Sequence, residues 1–385
     1  MKFWNFLIFI SIVLLIYSSV NYYIFVRGLQ ALPKDSSFRT YYIVLFIIVA
    51  SSFWIGRILE NFMLNKFTET FVWIGSFWLA FMLYFFLFII LFDLIRLSDH
   101  FFGFLPKFIS GNYEKAKIIS FIGTVIIVVG IIIYGHINFL NTRTLTLEIT
   151  LPKKDSKLDT LNIVAASDIH LGTIVGKKQL DKFVQMANSL NPDIILLPGD
   201  IFDEDIGPII KNKLGDDLQK LNAKYGVYAV TGNHEYIGGV ESAVDYMEKH
   251  GINVLRDEAV LIDSGFYLVG REDRSIGQFA NQKRKELSEI TKNINKNFPA
   301  ILLDHQPFQL NLARENGIDL QLSGHTHHGQ LWPLNYITSM IYEISWGYEK
   351  IDETHYYVSS GFAGWGPPVR TGSRTEIVNL KIAFE

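Results

Sequence analysis

The sequence predicts an α/β domain that follows four membrane-spanning helices. Four long apolar segments fill the first 141 residues, and each is close to the ~20 residues that a helix requires to cross a bilayer. After residue 141, short apolar runs typical of buried strands alternate with amphipathic stretches of helical period, which is the pattern of an α/β fold. The charges follow the same division, because only 16 of the 73 charged side chains lie in the first 141 residues.

The four apolar segments are the candidate transmembrane helices, at about residues 3–26, 41–59, 71–92 and 118–139. Tyr and Trp side chains such as Trp4, Tyr41 and Trp73 lie near their ends, as is typical of membrane interfaces. The first segment is long and lacks a small-x-small cleavage site, so we expect a retained anchor rather than a signal peptide. Residues 1–141 are therefore predicted to be the membrane domain of a multi-pass protein in the cell (inner) membrane.

The basic residues of the loops favour one orientation in the membrane. Four spans place both termini on one side, and that side carries three Lys and Arg residues near the spans. The two loops on the opposite side carry seven. The positive-inside rule therefore places these two loops in the cytoplasm and predicts an extracytoplasmic C-terminal domain. No segment carries Asp, Glu, Lys or Arg at mid-depth, which argues against a transport pathway for ions or protons.

The part of the chain after the membrane domain is predicted to contain a linker with a first strand, residues 142–160, and an α/β domain, residues 161–385. Pro152–Asp159 is either a polar link or a hairpin. The strand candidates are Thr144–Thr150, Leu161–Ala165, Ile194–Leu197, Val227–Val230, Tyr267–Val269, Ala300–Leu303, Ile318–Leu322, Tyr356–Phe362 and Glu376–Ala383. Helices are predicted at Lys178–Leu190, Glu241–His250 and Lys283–Asn297, the last of them polar and exposed.

Polar side chains follow five of the apolar runs, at the point where each predicted strand ends. These side chains are Asp168 and His170 in D-I-H, Asp200 in G-D, Asn233, His234 and Glu235 in G-N-H-E, His305 in L-D-H-Q-P, and His325 and His327 in G-H-T-H. In open α/β sheets, ligands bind outside the carboxyl ends of the strands. A single Asp or His at a strand end is commonly structural, but five strands that each end in such groups indicate a site.

The types of these residues indicate a metal site. The chain has no cysteine, so its candidate ligands are carboxylates, imidazoles and an amide, which suit divalent Mn, Fe, Zn or Ni. About seven candidate ligands are too many for one tetrahedral ion and suit two. Two metal ions ~3.5–4 Å apart can stabilise both the attacking and the leaving oxygen of an in-line displacement at phosphorus.

The five motifs, in this order, resemble those of the calcineurin-like metallophosphoesterases. The resemblance covers Leu161 to about Glu376, and it is closest to a membrane-anchored bacterial branch whose last motif reads G-H-T-H-G-G-Q. This chain departs from that motif at His328, where a glycine is expected. The resemblance implies a four-layer αββα sandwich and two divalent metal ions as cofactors.

The resemblance also implies a role for each motif residue. One metal ion would be held by Asp168, His170 and His327, the other by Asn233, His305 and His325, with Asp200 bridging them. His234 would be a catalytic residue that binds no metal and instead stabilises the phosphoryl oxygens or protonates the leaving group. The attacking group would be a hydroxide that bridges the two ions.

Four further residues are expected around the site. Arg370, in the glycine-rich segment 361–375, would bind the substrate phosphate if that segment borders the pocket, although a surface turn is the alternative. His328 is either a substrate-side or an exposed residue. Glu235 and Asp304 are candidates for orienting imidazoles, and Glu235 could instead cap a helix.

The first functional hypothesis is therefore a membrane-anchored phosphoesterase that hydrolyses a phosphodiester or phosphomonoester. A lipid-linked or cell-envelope substrate is one candidate, because four spans exceed what tethering requires. The alternative is a membrane sensor or scaffold that binds a phosphorylated ligand without turnover. The chain shows no basic stripe and no nucleic-acid-binding motif, so no nucleic-acid partner is expected.

Overall fold

The computed structural model describes residues 3–280 and 282–385. The chain forms two compact units, Met1–His136 and Ile137–Glu385. The first unit is helical, and the second contains all twelve strands of the described residues.

The helices of the first unit are α1 (Phe3–Ala31), α2 (Phe38–Glu60), α3 (Lys66–Phe102), the single turn α4 (Lys107–Ser110) and α5 (Tyr113–Leu140), whose last residues belong to the second unit. The four long helices are apolar enough and long enough to cross a membrane. They are longer than the predicted segments. The reason is that an apolar pattern marks only the part of a helix that suits hydrocarbon, whereas α3 continues through Asp93 and Arg96 to Phe102.

The strands of the second unit are β1 (Arg143–Leu151), β2 (Thr160–Ala165), β3 (Ile194–Pro198), β4 (Val227–Val230), β5 (Ile252–Val254), β6 (Glu258–Ile262), β7 (Phe266–Gly270), β8 (Ala300–Leu303), β9 (Leu320–Ser323), β10 (Gly347–Ile351), β11 (Thr354–Val358) and β12 (Glu376–Phe384). They form two six-stranded sheets. The first has the order β1-β12-β2-β3-β4-β5 and the second the order β10-β11-β9-β8-β7-β6. Strands β2 to β5 are parallel, as are β7, β8, β9 and β11, so each sheet gathers several carboxyl ends at one edge.

The helices of the second unit are α6 (Lys177–Ser189), α7 (Gly207–Lys211), α8 (Gly215–Leu218), α9 (Asn233–Gly238), α10 (Val240–Lys249), α11 (Ile276–Phe279), α12 (Leu287–Ile290), α13 (Asn311–Glu315) and α14 (Leu334–Ile341). Two 3-10 turns cover Thr291–Asn293 and His327–Gly329.

Alternate residues of β8 show how the layers pack. Ile301 and Leu303 belong to the core between the two sheets, together with residues of β2 and β3. Ala300 and Leu302 point to the other face, where they pack against residues of α12 and α13. Helices also accompany the other sheet, since α10 contacts β5 and the apolar face of α6 is buried. The αββα sandwich that the motifs imply is therefore confirmed.

The buried carboxylate of Glu376 joins the two sheets near the start of β12. It accepts hydrogen bonds from the Tyr357 hydroxyl on β11 at 2.7 Å, from the backbone N–H of Ser360 at 3.0 Å and from the Trp346 indole N–H at 3.1 Å. Arg143 of β1 forms an ion pair with it at 3.0 Å. One side chain thus connects the beginning of the first sheet to β11 of the second.

Two predictions of secondary structure were wrong, and one open alternative, that of a polar link or a hairpin, is decided by the structure. Lys283–Asn297 is not a helix: only α12 and the turn Thr291–Asn293 are helical there, and Leu287 and Ile290 are buried rather than exposed. The first residues of this segment form hydrogen bonds with other parts of the chain: the backbone N–H of Lys285 donates to the carboxylate of Asp257.

Pro152–Asp159 links β1 to β2 and is not a hairpin turn, because β12 lies between these strands. Strands β5, β6 and β10 were missed because they are short or, in β10, mostly exposed.

Candidate metal centre

The carboxyl ends of β2, β3, β4, β8 and β9 bring all seven predicted metal ligands together. Among the described residues, three groups of side chains could hold a metal ion, and all three lie here, each with donor atoms within 4.8 Å of one another. The groups are Asp168, His170 and His327; Asp200, His305 and His325; and His170, Asp203 and His234. The two sheets therefore contribute to one cluster of buried donors.

The first set of donors contains Asp168, His170 and His327. The Nε2 atoms of the two imidazoles lie 3.2 Å apart, and Asp168 Oδ1 is 3.5 Å from Nε2 of His327. The backbone N–H of His325 donates to both oxygens of Asp168, at 2.9 and 3.1 Å, and so orients the carboxylate. Asp168 and His170 are almost completely buried.

The second set contains Asn233, His305 and His325. The amide oxygen of Asn233 lies 2.8 Å from Nδ1 of His325 and 3.2 Å from Nε2 of His305. Nδ1 of His305 donates to the carbonyl oxygen of Pro198 at 2.8 Å. This contact places Nε2 of His305 toward the site, as a backbone acceptor does for a metal-binding histidine.

Asp200 lies between the two sets. Its Oδ2 is 3.1 Å from Nε2 of His305 in the second set and 3.9 Å from Nε2 of His170 in the first. Its Oδ1 accepts the backbone N–H of His234 at 2.9 Å. The side chain therefore has one oxygen within reach of both sets of imidazoles.

The backbone around Asp200 is strained. Asp168, His170 and Asp200 all have positive φ values, of +52°, +50° and +53°, which are uncommon for residues with a side chain. The preceding Gly199 has φ +82°, and a Cβ there would come 2.6 Å from Nδ1 of His305. The donors can therefore converge only because the chain turns sharply at the strand ends and because residue 199 is a glycine, which leaves room for the His305 ring.

Burial and charge shift the pKa values of the cluster in opposite directions. Burial lowers the pKa of His170 to about 3 and that of His325 to about 4, so both are neutral imidazoles near pH 7. Burial raises the pKa of Asp168 to about 6. His305 differs from the other imidazoles: burial opposes its charge, but Asp200 and Asp168 outweigh burial and raise its pKa well above the usual range.

His234 stands beside the cluster with a carboxylate behind it. Its Nδ1 lies 3.5 Å from Oδ1 of Asp203, and its ring centroid is 4.6 Å from that of His170. Burial lowers the pKa of His234, but Asp200 and Asp203 outweigh it and raise the value to about 9. His234 is therefore cationic near neutral pH. Asp203 was missed in the sequence, although a carboxylate three residues after Asp200 in the same loop was a usable signal.

Glu235 holds two strand-end loops together and does not orient an imidazole. Its carboxylate accepts backbone N–H groups of Gly232, Asp200, Ile201 and Phe202 at 2.7 to 3.1 Å, so it caps α9 and also fixes the turn at Asp200. Burial raises the pKa of Glu235 to about 7. The capping alternative is thus the one that the structure supports.

Asp304 was expected to orient an imidazole, and it binds two arginines instead. Its carboxylate oxygens lie 3.0 Å from Arg271 and 2.9 Å from Arg284. Both guanidinium groups come from the connection between β7 and α12.

Arg370 lies under the candidate metal ligands, not in an open pocket, so the expected contact with a substrate phosphate does not fit its position. Its side chain is completely buried. Nη1 donates to the carbonyl oxygen of His327 at 3.0 Å and to Ser373 Oγ at 2.7 Å, while Nη2 binds Ala363 O and lies 3.0 Å from Nδ1 of His327. A planar guanidinium with several donors suits this position. Arg370 therefore supports the backbone and ring of His327.

His328 also differs from its expected substrate-side position. Its Nδ1 lies 3.0 Å from Ser345 Oγ, and its ring packs on Trp346 with centroids 5.7 Å apart. The backbone at His328 has φ +46°, in the left-handed region. A glycine would adopt this φ without strain, which explains why the related motif has one.

The segment 361–375 supports the site, and its Trp365 lies at the edge of the site. Gln330 holds the segment in place. Its side-chain N–H donates to the carbonyl oxygen of Pro367 at 2.7 Å, and its backbone carbonyl oxygen accepts the N–H of Thr371 at 3.0 Å. Trp365 is 45% exposed, with its ring centroid 5.8 Å from that of His234. Trp365 thus places apolar surface directly beside the candidate catalytic histidine.

Comparisons with known proteins agree with this architecture. Residues 161–329 match the family model for the calcineurin-like phosphoesterases. An uncharacterised metallophosphoesterase of Campylobacter jejuni is 30% identical over 98% of this chain and 98% of its own length. A transmembrane protein with metallophosphoesterase domain from Bos taurus is 34% identical over 61% of this chain and 56% of its own. An uncharacterised metallophosphoesterase of Aquifex aeolicus is 32% identical over 65% and 95%. The fold, the strand-end donors and these similarities together show that the chain belongs to the calcineurin-like metallophosphoesterase family.

Proposed function

We propose that this protein is a membrane-anchored phosphoesterase that uses two divalent metal ions to hydrolyse a phosphomonoester or phosphodiester. The position of Asp200 carries the proposal. One carboxylate oxygen lies within 4 Å of imidazoles from two separate donor sets. A carboxylate can bind two cations at once, which an imidazole or amide cannot do without a change of protonation.

The donors fit divalent cations. Nε2 of His170 and Nε2 of His327 face each other at 3.2 Å inside the protein, and burial lowers the pKa of both rings. Two neutral imidazoles so placed can share only one proton, so a cation between them satisfies more lone pairs than a hydrogen bond does. Asp168, His170 and His327 would hold one ion, and Asn233, His305 and His325 the other, with Asp200 shared.

When bound, the ions would neutralise phosphoryl charge and lower the pKa of a coordinated water. The protein's own contribution is to orient and protonate. Asp203 faces Nδ1 of His234 and favours its protonated form, so Nε2 is left to donate to a phosphoryl oxygen or to the departing alkoxide. Trp365 supplies apolar surface for the group attached to the phosphate.

The test uses the full chain in detergent. After treatment with a chelator, hydrolysis of bis(4-nitrophenyl) phosphate and of 4-nitrophenyl phosphate should return only on addition of Mn, Fe, Zn or Ni. Asp200→Ala should abolish turnover, while the exposed Asp352→Ala serves as the control. If a phosphorylated ligand binds with metal but neither substrate is turned over, the alternative of a sensor or scaffold replaces the proposal.

A lipid-linked or cell-envelope substrate is the proposed class. Four candidate membrane spans precede the site, and α14 and its surroundings expose Trp332, Tyr336, Met340 and Ile341. Exposed aromatic and aliphatic groups of this kind are typical of contacts with lipid. Kinetic comparison of a lipid pyrophosphate with a water-soluble diester, in the same mixed micelles, distinguishes the classes. A kcat/KM that favours the soluble diester contradicts the lipid proposal.

An extracytoplasmic catalytic domain is the proposed orientation, with the loops after α1 and α3 in the cytoplasm. The excess of Lys and Arg in these loops supports it. Because the chain contains no cysteine, single cysteines can be introduced without background. In intact cells, a membrane-impermeant maleimide should label an Asp352→Cys variant and not a Lys115→Cys variant. The reverse labelling contradicts the orientation.

A further inference from the structure

A cavity of about 460 Å³ lies between the helices of the first unit. All of its lining residues belong to residues 24–125, so it is separate from the candidate metal centre. Much of its wall is aromatic: Phe46 packs on Trp78 with centroids 5.3 Å apart, and Tyr42 meets Phe121 of α5 at 6.4 Å. Its volume falls in the range of ~300–1,000 Å³ that is typical of ligand pockets.

One end of the cavity is basic. The charged residues that line it are Arg27, Asp93, Arg96 and Lys117. These residues lie near the ends of their helices, with Arg27 near the end of α1, Arg96 near the end of α3 and Lys117 near the start of α5. In a bilayer, this level corresponds to the headgroup region rather than to hydrocarbon. Arg27, Arg96 and Lys117 thus form a basic rim at this end of the cavity.

The single carboxylate of this lining leaves the rim with excess positive charge. Asp93 pairs with Arg27, and it lies 3.4 Å from Arg96. Lys117 has its own partner, Glu114, at 2.7 Å, but the Glu114 side chain is 80% exposed and therefore open to exchange with solvent ions. An anion placed at the rim would meet cations from three different helices.

Arg27 has a donor that the protein does not use. Its Nη1 donates to Gln30 Oε1 at 2.9 Å and its Nη2 binds Asp93, but its buried Nε–H has no acceptor among the described residues. The side chain as a whole is 30% exposed. Since a guanidinium has five N–H donors, Arg27 can also donate to an added acceptor such as a phosphate oxygen.

We propose that the cavity binds one lipid molecule with an anionic phosphate headgroup. The acyl chain fills the aromatic part of the cavity, and the phosphate lies at the basic rim. A lipid suits both parts, because the wall can accommodate hydrocarbon while the rim requires a charge at the membrane surface. Basic pockets between transmembrane helices bind anionic lipid headgroups in this way.

The test is native mass spectrometry of the full chain released from detergent with added lipid. Phosphatidylglycerol and phosphatidylcholine with identical acyl chains are compared. We expect one phosphatidylglycerol to be retained at a concentration about tenfold lower than phosphatidylcholine. A double variant, Arg96→Ala with Lys117→Ala, should remove this preference. The matched control, Arg57→Ala with Lys66→Ala, deletes the same charge from the end of α2 and the start of α3, away from the cavity lining, and should keep the preference.

Two further arms separate the headgroup from the chain. Ser120→Phe places a ring in the cavity wall and should weaken retention of both lipids. Inorganic phosphate should not compete with the lipid at equal concentration. Equal retention of the two lipids, equal effects of the two double variants, or full competition by inorganic phosphate would each overturn the proposal. Hydrolysis of 4-nitrophenyl phosphate by each variant confirms that the catalytic unit is folded.

Discussion

Nδ1 of His305 donates to the carbonyl oxygen of Pro198, and on the opposite side of the ring its Nε2 lies 3.1 Å from Oδ2 of Asp200. Both ring nitrogens therefore face acceptors, and the imidazole is held as a cation when no metal ion competes. This relationship leads to the first prediction.

Metal affinity should rise with pH. Asp200 and Asp168 raise the pKa of His305 above its ordinary value, so the proton on Nε2 is held in the folded protein at pH values where an unfolded histidine is neutral. A metal ion must displace that proton, so affinity increases as pH rises toward the folded pKa. Protonation of Asp168, with its pKa raised to about 6, weakens binding further at lower pH. Isothermal titration calorimetry in buffers of different ionisation enthalpy measures the protons released; no release contradicts the prediction.

The same shift has a consequence for the protein without metal. Because the folded pKa of His305 is raised, its contribution to stability is fully present below pH ~6.5 and is lost as pH rises through the folded pKa. Thermal unfolding of the chelated protein should therefore show this contribution declining above neutrality, and added metal should restore stability there.

Asp200→Asn should abolish activity and reduce metal content. Asparagine keeps the shape and can still accept the His234 N–H, but it offers one oxygen without charge, so it cannot serve two cations. Elemental mass spectrometry should find less than one metal ion per chain, and circular dichroism should show the same helical content as in the native protein. Two ions per Asp200→Asn chain would show that Asp200 does not bridge.

His234→Ala should lower kcat by about 100- to 10,000-fold while the metals stay bound, because a general acid contributes rate and not metal affinity. His100→Ala, at an exposed position of the first unit, is the control.

Asp203→Asn should lower activity by about 10- to 100-fold, as the loss of an orienting carboxylate does. It should also move the alkaline limb of the pH–rate profile to lower pH. The sign follows from the charge: Asp203 raises the pKa of His234, and activity falls once His234 loses its proton. A limb that stays in place contradicts the assignment of Asp203.

Arg370→Lys should weaken metal binding without changing the rate of turnover once metal is saturating. Lysine keeps a charge but cannot hold the His327 carbonyl, Ser373 and Ala363 together, so the loop that carries His327 loses its support. We expect a higher metal concentration for half-maximal activity, with kcat at saturating metal near that of the native protein. A change confined to KM for the substrate would instead support direct contact with phosphate.

Glu376→Gln should destabilise the second unit by about 1–3 kcal/mol, since the amide turns a donor toward groups that need an acceptor. Its partners Tyr357 and Ser360 are both buried. Glu148→Gln, on the neighbouring strand with a side chain 81% exposed, should have no measurable effect. Thermal inactivation of the two variants in detergent provides the comparison.

Much of the site could be predicted because its chemistry is local in the sequence. Asp168, Asp200 and Asn233 each lie three residues after the end of an apolar run, and parallel strands place such positions at one edge of a sheet. The four long helices of the first unit could be predicted for a similar reason, since length and hydropathy alone define a helix that suits a bilayer.

Arg370 and Asp304 show where this kind of prediction fails. Each was assigned by its charge and its neighbours in the sequence, yet each side chain binds groups far away in the chain: Asp304 binds Arg271, and Arg370 binds His327. Lys283–Asn297 failed for a related reason, because contacts with other segments replaced the local helical preference.

The sequence by itself determined the α/β class and the residues that converge at the strand ends, because periodicity and spacing along the chain decide these, and the resemblance of its motifs implied the family. Only the tertiary structure decided which buried charges support the site and which face it. It also decided that Asp203 backs His234 and that helices of the first unit enclose a cavity with a basic rim. The physical reason is that burial and pairing of charges depend on residues brought together from distant parts of the chain, whose partners no local pattern specifies.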